Sequence, residues 1–376
     1  MLKQFPIVSV TGPRQSGKTT MLKSEFTDYK YFNLERLDYR EMISADPIGF
    51  LKSAGSNIIF DEVQNVPELF SYIQVISDER DIPGQYILSG SQSFLLNERI
   101  SQSLAGRVSV NNLFPFDINE LHGKSRYNYI DYIFTGFYPR IYDKNINPVD
   151  FYPSYLQTYI ERDVRTLKAI ENLSTFGRFL SLCAGRVGQI LNISSLANDT
   201  GVSVNTAKAW LSLLEASYII YLLKPYYNNF NKRLIKSPKL YFYDTGIVAS
   251  LLKITTDYMV KNHFAYGHLF ENLIISEIIK TQKHLGKNPS VYYWRESNGI
   301  EIDCIIDNGN NRITALEIKA GETLNNSFLK NLKIIKDNSG NIQIDKKLVY
   351  TGELSTTISD IEIITWNRFI SFIQTL

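Results

Sequence analysis

Cysteine is nearly missing from this sequence: two residues in 376, Cys183 and Cys304, far apart and without metal-type spacing. That excludes a disulfide framework and a zinc ribbon, and it fits a reducing, cytoplasmic compartment. Histidine is equally sparse, with four scattered residues that add no ligand cluster. Long apolar runs are missing as well, since nothing approaches the roughly 18–20 residues that cross a bilayer. The longest, Tyr218 to Leu223, reads as the end of an amphipathic helix. Met1-Leu2-Lys3-Gln4-Phe5-Pro6 has neither an apolar core nor a cleavage site, so no secretory signal and no membrane partner are expected. Charge of one sign is not in excess: 40 basic residues face 38 acidic ones, for a net +2. Such a balance neither requires nor excludes nucleic acid, because a basic groove can hide inside a neutral total.

What is present is enough apolar material for real cores, 44% of the chain, at a length that suits two or three domains. Short apolar runs alternate with helical stretches in the first third. Ile7–Val10, Lys30–Leu34, Asn57–Phe60 and Gln85–Leu88 read as strands, which implies βαβ units and a mainly parallel sheet. From about Pro115 the pattern turns helical, tyrosine-rich over 127–170 and amphipathic over 180–223. Strands are expected again within Asn228–Asp244, and at Val291–Arg295, Glu301–Ile306, Thr314–Lys319, Lys347–Tyr350 and Glu362–Trp366. A helix is expected at Leu269–Lys280.

Gly12-Pro13-Arg14-Gln15-Ser16-Gly17-Lys18-Thr19 matches G-x-x-x-x-G-K-[ST], between a strand and a helix. Glycines let the loop turn its amides toward phosphate oxygens, and the helix N-terminus adds its positive dipole end. Lys18 is expected to neutralise the β- and γ-phosphates, and Thr19 to ligate Mg²⁺. Asn57-Ile58-Ile59-Phe60-Asp61-Glu62 is an apolar strand ending in two acids. Asp61 would hold a magnesium-bound water, and Glu62 would act as general base on the attacking water. No Asn-Lys-x-Asp motif follows, so ATP is preferred to GTP. Ser89-Gly90-Ser91 reads either as a γ-phosphate sensor or as an ordinary turn. Arg107 is a candidate arginine finger, in cis or from a neighbour, and equally a surface cap.

These segments resemble one family of AAA-type ATPases. Gly12 to Thr20, Ile59-Phe60-Asp61-Glu62-Val63-Gln64 and Ile87-Leu88-Ser89-Gly90-Ser91 carry the resemblance. Gly106-Arg107, Gly136-Phe137-Tyr138-Pro139, Tyr159-Ile160-Glu161-Arg162-Asp163-Val164 and Tyr243-Asp244-Thr245-Gly246 extend it nearly end to end. The resemblance implies an ATP and Mg²⁺ site built from Gly12 to Thr20, Asp61 and Ser89, and a C-terminal half of unknown function. The family usually carries a helical segment before its first strand. This chain opens almost on the strand, which puts the adenine contacts in question.

Leu196 to Ser203 leads into a second helix at Val204–Leu214, with Gly201 at the turn and Ser203 as its cap. Followed by a ribbon, this resembles a winged helix, offering Asn205, Thr206 and Lys208 outward and Lys232, Arg233, Lys236 and Lys239 in the wing. Such a module either contacts DNA or serves for packing. Farther on, Glu301-Ile302-Asp303 and Glu317-Ile318-Lys319 flank the turn Asn308-Gly309-Asn310-Asn311. Alternation along each strand pairs Asp303 with Glu301 and Glu317 with Lys319, and a hairpin can bring both pairs to one face. Glu271 on the preceding helix could add a third acid. Exposed strand charges would look the same.

The arrangement resembles the PD-(D/E)XK nuclease core. By that resemblance Asp303 and Glu317 would ligate metal, Glu271 would assist, and Lys319 would support catalysis. The expected fold is α/β: a P-loop NTPase core with a parallel sheet (1–122), a helical and winged-helix domain (123–260), then a restriction-endonuclease-like α/β domain (261–376). Two functions follow. One is an ATP-driven nuclease acting on DNA or RNA. The other is an ATP-controlled switch whose last domain binds protein or nucleic acid without cutting. Oligomeric state is left open by the sequence.

Overall fold

A computed structural model of the chain describes residues 1–90, 103–121, 127–159, 172–226, 236–296, 299–335 and 342–376. They fall into two compact units, Met1–Pro115 with Ala216–Tyr218, and Phe116–Glu215 with Ile219–Leu376. Residues of the expected second and third domains share the second unit.

The first unit holds five parallel strands: β1 (Ile7–Thr11), β2 (Lys30–Asn33), β3 (Ile58–Asp61), β4 (Tyr86–Gly90) and β5 (Val108–Asn112). Their order is β2-β3-β4-β1-β5. The three central strands are buried along their whole length, as parallel strands covered on both faces must be. Val8, Val10, Ile59 and Ile87 pack with Leu22 of α1 (Lys18–Glu25). On the opposite side Ile7, Ile58, Phe60, Tyr86 and Leu88 cluster with Ile43 of α2 (Leu37–Ala45), Leu51 of α3 (Pro47–Ala54) and Ile73 of α4 (Leu69–Arg80). Each such aliphatic side chain contributes about 1.5–3 kcal/mol. Because β4 lies between β1 and β3, the ends carrying Gly12, Asp61 and Ser89 open along one edge of the sheet. Ligands bind at that edge in open α/β sheets. The four strands expected from sequence are present; β5, half-polar and at the sheet's edge, was not expected.

In the second unit, helices at Tyr129–Thr135, Pro139–Lys144 and Pro148–Tyr159 account for the tyrosine-rich periodicity. Residues 160–171 lie outside the described ones, so Glu161 to Val164 cannot be placed. Two sequence signatures meet in one buried junction. The Asp244 carboxylate accepts from the Phe137 N–H at 2.7 Å, the Tyr152 hydroxyl at 2.8 Å and the Ile247 N–H at 3.0 Å. A Cβ at Gly136 would sit 1.9 Å from the Tyr152 hydroxyl, and one at Gly246 would meet the same ring at 2.4 Å. These glycines exist for that close approach.

The helix-turn-helix forms as expected, from Ile193–Thr200 and Val204–Ala216. Gly201 takes φ 82°, and the Ser203 hydroxyl accepts from the Thr206 N–H at 3.0 Å. The ribbon departs from expectation. Its first strand is β6 (Ile220–Leu223), antiparallel to β7 (Lys239–Phe242), where the sequence suggested the end of a helix. Tyr218, at φ 57°, breaks the helix and frees the apolar run to pair. Beyond β6, the Tyr226 N–H donates to the Tyr293 carbonyl at 2.7 Å, and the Tyr293 N–H to that of Lys224 at 3.1 Å. Residues 227–235, with Lys232 and Arg233, lie outside the described set.

Tyr293 belongs to β8 (Val291–Arg295), the edge of a mixed sheet ordered β12-β13-β11-β10-β9-β8. The other strands are β9 (Glu301–Asp307), β10 (Arg312–Lys319), β11 (Gln343–Tyr350), β12 (Thr356–Ile358) and β13 (Ile361–Thr365). One side clusters with the long helix Tyr266–His284 and the closing helix Trp366–Ile373, the other with Leu329 and Leu332. Asn272 of the long helix clamps the β7 backbone, accepting from the Phe242 N–H at 2.8 Å and donating to its carbonyl at 3.1 Å. Among the described residues no helix is long and apolar enough to cross a membrane.

Candidate functional site

The phosphate loop follows β1 directly. Gly12 passes so close to Leu113 that a Cβ would lie 2.0 Å from its carbonyl oxygen. Gln15 and Gly17 turn the loop with φ of 60° and 96°. Gly17 then opens α1 with no side-chain cap and no acid in the first turn. Helix-terminal N–H groups left without a capping side chain are what a phosphate uses. Lys18, 5% exposed, donates from Nζ to the carbonyls of Gly12 at 3.0 Å and Pro13 at 2.8 Å. Its charge is thereby held at the loop. Thr20 is exposed, and Pro13 and Ser16 are buried, with Arg14 partly so.

Asp61, 2% exposed at the end of β3, is the hub. Its Oδ2 accepts from the Thr19 hydroxyl at 2.7 Å and from the Tyr31 hydroxyl at 2.5 Å. Its Oδ1 accepts from the Ser89 hydroxyl and from the Glu62 N–H at 3.2 Å. Ser89 therefore acts on Asp61, whichever role its turn plays, and Ser91 lies outside the described residues. Glu62 adopts φ 56°, left-handed backbone that non-glycine residues seldom occupy, and the Gln64 side-chain amide donates to its carboxylate. Tyr31 was not anticipated, because nothing in Lys30-Tyr31-Phe32-Asn33 signals phosphate chemistry. Burial, then the Asp61 charge, push its hydroxyl pKa far up, so it stays a donor. The Lys23 ammonium lies 4.3 Å from its ring centroid.

Arg107 is not part of this site. It precedes Val108, which pairs with Ile7 at the start of β1, whereas the loop follows Thr11 at the far end. Five residues of strand, about 16 Å, separate the two positions. Its guanidinium is bound to the Asp78 carboxylate, at 2.9 Å from Nη2 to Oδ2. An arginine finger acting in cis is excluded by that placement.

The expected C-terminal residues do converge. Leu316 pairs with Cys304, and one step further along the antiparallel register sets Glu317 opposite Asp303. Asp303 Oδ2 accepts from the Ile318 N–H and from Lys319 Nζ, both at 2.9 Å. Lys319 Nζ also lies 2.6 Å from Glu317 Oε2, and the Asn331 amide donates to Glu317 Oε1 at 3.2 Å. Burial, then the Asp303 charge, raise the Glu317 carboxyl above the usual range. Burial would raise Asp303 too, but the Lys319 and Lys239 charges outweigh it and hold that carboxyl low.

Lys239 is the residue whose place the sequence misjudged. Assigned to a basic wing, it is instead 2% exposed on β7, with Nζ 3.0 Å from Glu271 Oε1 and 2.5 Å from Glu301 Oε1. Burial alone would lower its pKa, yet Glu271, Asp303 and Glu301 hold it well above the ordinary lysine range. The Tyr241 hydroxyl also donates to Glu271 Oε1, His268 Nδ1 lies 3.6 Å from Oε2, and Arg295 pairs with Glu301 at 2.8 Å. Lys236, and Asn205 and Lys208 on the helix Val204–Ala216, are exposed, and Thr206 is half-buried.

A third cluster was not foreseen. Asp117, Glu120 and His284 bring ligand atoms within 4.8 Å of one another, the grouping of that kind among the described residues. Its acids form a reciprocal cap on Ile118–Leu121: the Glu120 N–H donates to Asp117 at 3.1 Å, and the Asp117 N–H to Glu120 at 3.0 Å. Burial opposes ionisation of Asp117, but His284, 2.8 Å away, lowers its pKa on balance.

The sheet order, the uncapped glycine loop and the acid beside Thr19 fit a P-loop NTPase core in the first unit. Residues 4–122 match the AAA domain family; 126–258 and 266–369 match two domains of unknown function, DUF8612 and DUF4143. Uncharacterized proteins of Mycobacterium bovis and Mycobacterium tuberculosis are each 29% identical over 364 residues, 96% of this chain and 79% of theirs. A solved signal transduction ATPase with numerous domains and a tetratricopeptide repeat sensor, from Pyrococcus horikoshii, is 12% identical with a TM-score of 0.20. That match covers 76% of this chain and 46% of the other.

Proposed function

We propose that the chain is an ATP-hydrolysing switch whose second unit binds a protein or nucleic-acid partner without cutting it. The observation that carries the ATPase reading is the 2.7 Å bond from Thr19 to Asp61 beside an uncapped α1. The residues fit Mg²⁺–ATP: the loop amides and the α1 N-terminus receive phosphate oxygens, and Lys18 transfers its bonds from the Gly12 and Pro13 carbonyls to them. Thr19 and Asp61 would hold Mg²⁺ and its water, and the ion would supply charge stabilisation for the phosphoryl group. Glu62, steadied by Gln64, takes the proton of the attacking water.

The non-cutting reading of the second unit is supported by the lysine partners of Glu271, Glu301, Asp303 and Glu317. Metal-dependent phosphodiester cleavage is the second reading, favoured by the convergence of Asp303, Glu317 and Lys319. One experiment tests both: ATP turnover and plasmid and single-strand cleavage by the full chain, with Mg²⁺ or Mn²⁺, beside Asp303→Ala. Turnover without nicking supports the switch. Nicking that disappears in Asp303→Ala sinks it in favour of the nuclease.

A further inference from the structure

The nuclease-like arrangement calls for a divalent cation among Glu271, Asp303 and Glu317, and the surrounding residues do not fit one. We propose that Lys239 is the built-in cation of this site: its ammonium takes the place of a divalent metal among Glu271, Glu301 and Asp303.

Three observations carry this. First, the contacts are those of an ion already in place, 3.0 Å to Glu271 and 2.5 Å to Glu301, while Lys319 spans Asp303 and Glu317 at 2.9 and 2.6 Å. Four carboxylates thus meet three cations, Lys239, Lys319 and Arg295, and the proton that Glu317 retains cancels the remaining charge. A divalent ion would overcompensate that balance and sit against a buried ammonium. Second, the Lys239 backbone is held on both edges and its side chain is 3% exposed. Its strand pairs with β6 through Leu223 on one edge and bridges Ile190 on the other, and the Tyr293 ring centroid lies 5.7 Å from Nζ. Third, the acids are splayed around ammoniums. Among the described residues the set whose ligand atoms all come within 4.8 Å is Asp117, Glu120 and His284, not this one. Hard divalent cations need several oxygens converging on one point.

The inference goes beyond the proposed switch and can fail separately from it. The test is Mn²⁺ binding to the full chain without nucleotide, read from the loss of the free-ion electron paramagnetic resonance signal. Wild type, Asp303→Asn, Lys239→Met and Lys239→Met/Asp303→Asn are compared. Wild type and Asp303→Asn are expected to bind equal numbers of ions, whatever the phosphate loop retains. Lys239→Met should gain one ion per chain, and the added Asp303→Asn should remove it. A wild-type ion lost in Asp303→Asn, or no gain in a folded Lys239→Met, overturns the proposal. Should Lys239→Met fail to fold by circular dichroism, the first pair decides alone: equal counts support the proposal and a lost ion defeats it. ATP turnover, measured on the same wild-type chain, tests the P-loop reading independently of these counts.

Discussion

Asp61 and Asp303 are both buried acids at strand positions, each taking several hydrogen bonds, yet their surroundings differ in kind. Asp61 is held by neutral donors: three hydroxyls and an amide. Asp303 and its neighbours are held by ammoniums. Neutral donors fix a carboxylate's direction and leave its charge to attract a cation. Ammoniums fix it and cancel the charge. On the proposed reading the two buried acids are thereby prepared for opposite relations to metal, and what separates them is the charge on the partner.

The comparison can be broken most forcefully at its catalytic end. Glu62→Gln should cut ATP turnover by about 10²–10⁴-fold, the range for a general base, with nucleotide affinity kept. Steady-state turnover with equilibrium ATP binding checks it, and a fall in affinity without a fall in turnover would remove Glu62 from that role. Next comes Lys239→Met, which leaves buried acids without their ammonium and should cost about 3–5 kcal/mol of stability in urea melts. A loss under about 1 kcal/mol would mean the acids find other partners, as exposed pairs do.

Smaller effects sharpen the contrast. Glu317 ionises at higher pH in the folded chain than in the unfolded one, so the folded chain retains a proton that the unfolded chain has released. Stability from this group falls as pH rises above the ordinary carboxylate range. Glu317→Gln, locked neutral, should flatten the difference in urea midpoint between about pH 5 and about pH 8. An unchanged slope would place the proton elsewhere. The smallest effect belongs to Tyr31, whose hydroxyl, bound to Asp61, would compete there with the magnesium-bound water of the proposed reading. Tyr31→Phe should tighten Mg²⁺–ATP binding by about fivefold, roughly 1 kcal/mol, by calorimetry. Weaker binding would make Tyr31 a support for Asp61 instead of a competitor.

Much of the first site was readable because its chemistry is local. The run from Gly12 to Thr19 carries its own spacing, and a strand ending in Asp61-Glu62 identifies itself. Tyr31 was not readable, since its importance lies wholly in meeting an acid thirty residues away. The second site divides the same way. Alternation along two strands joined by an asparagine-glycine turn brought Asp303, Glu317 and Lys319 together on paper, as in the fold. Lys239 looked like one more basic residue of a wing because its partners, Glu271 and Glu301, are 32 and 62 positions on. The cis role of Arg107 went wrong for a third reason: Gly106-Arg107 says nothing about which end of a parallel strand the arginine occupies. In the fold, β6 was hidden because Ile220–Leu223 is compatible with helix until Tyr218 breaks the chain direction.

The strip Lys224–Tyr226 along β8 bears on how such a chain can be divided. A fragment beginning at residue 261 would carry the six-stranded sheet but leave the β8 edge bare, with free N–H and C=O groups open to pairing with any passing strand. It would also strip the carboxylates of Lys239 in the same cut. The six-stranded sheet is thus tied to the ribbon that precedes it twice, through the backbone bonds of Tyr293 and through the ion pairs of Lys239.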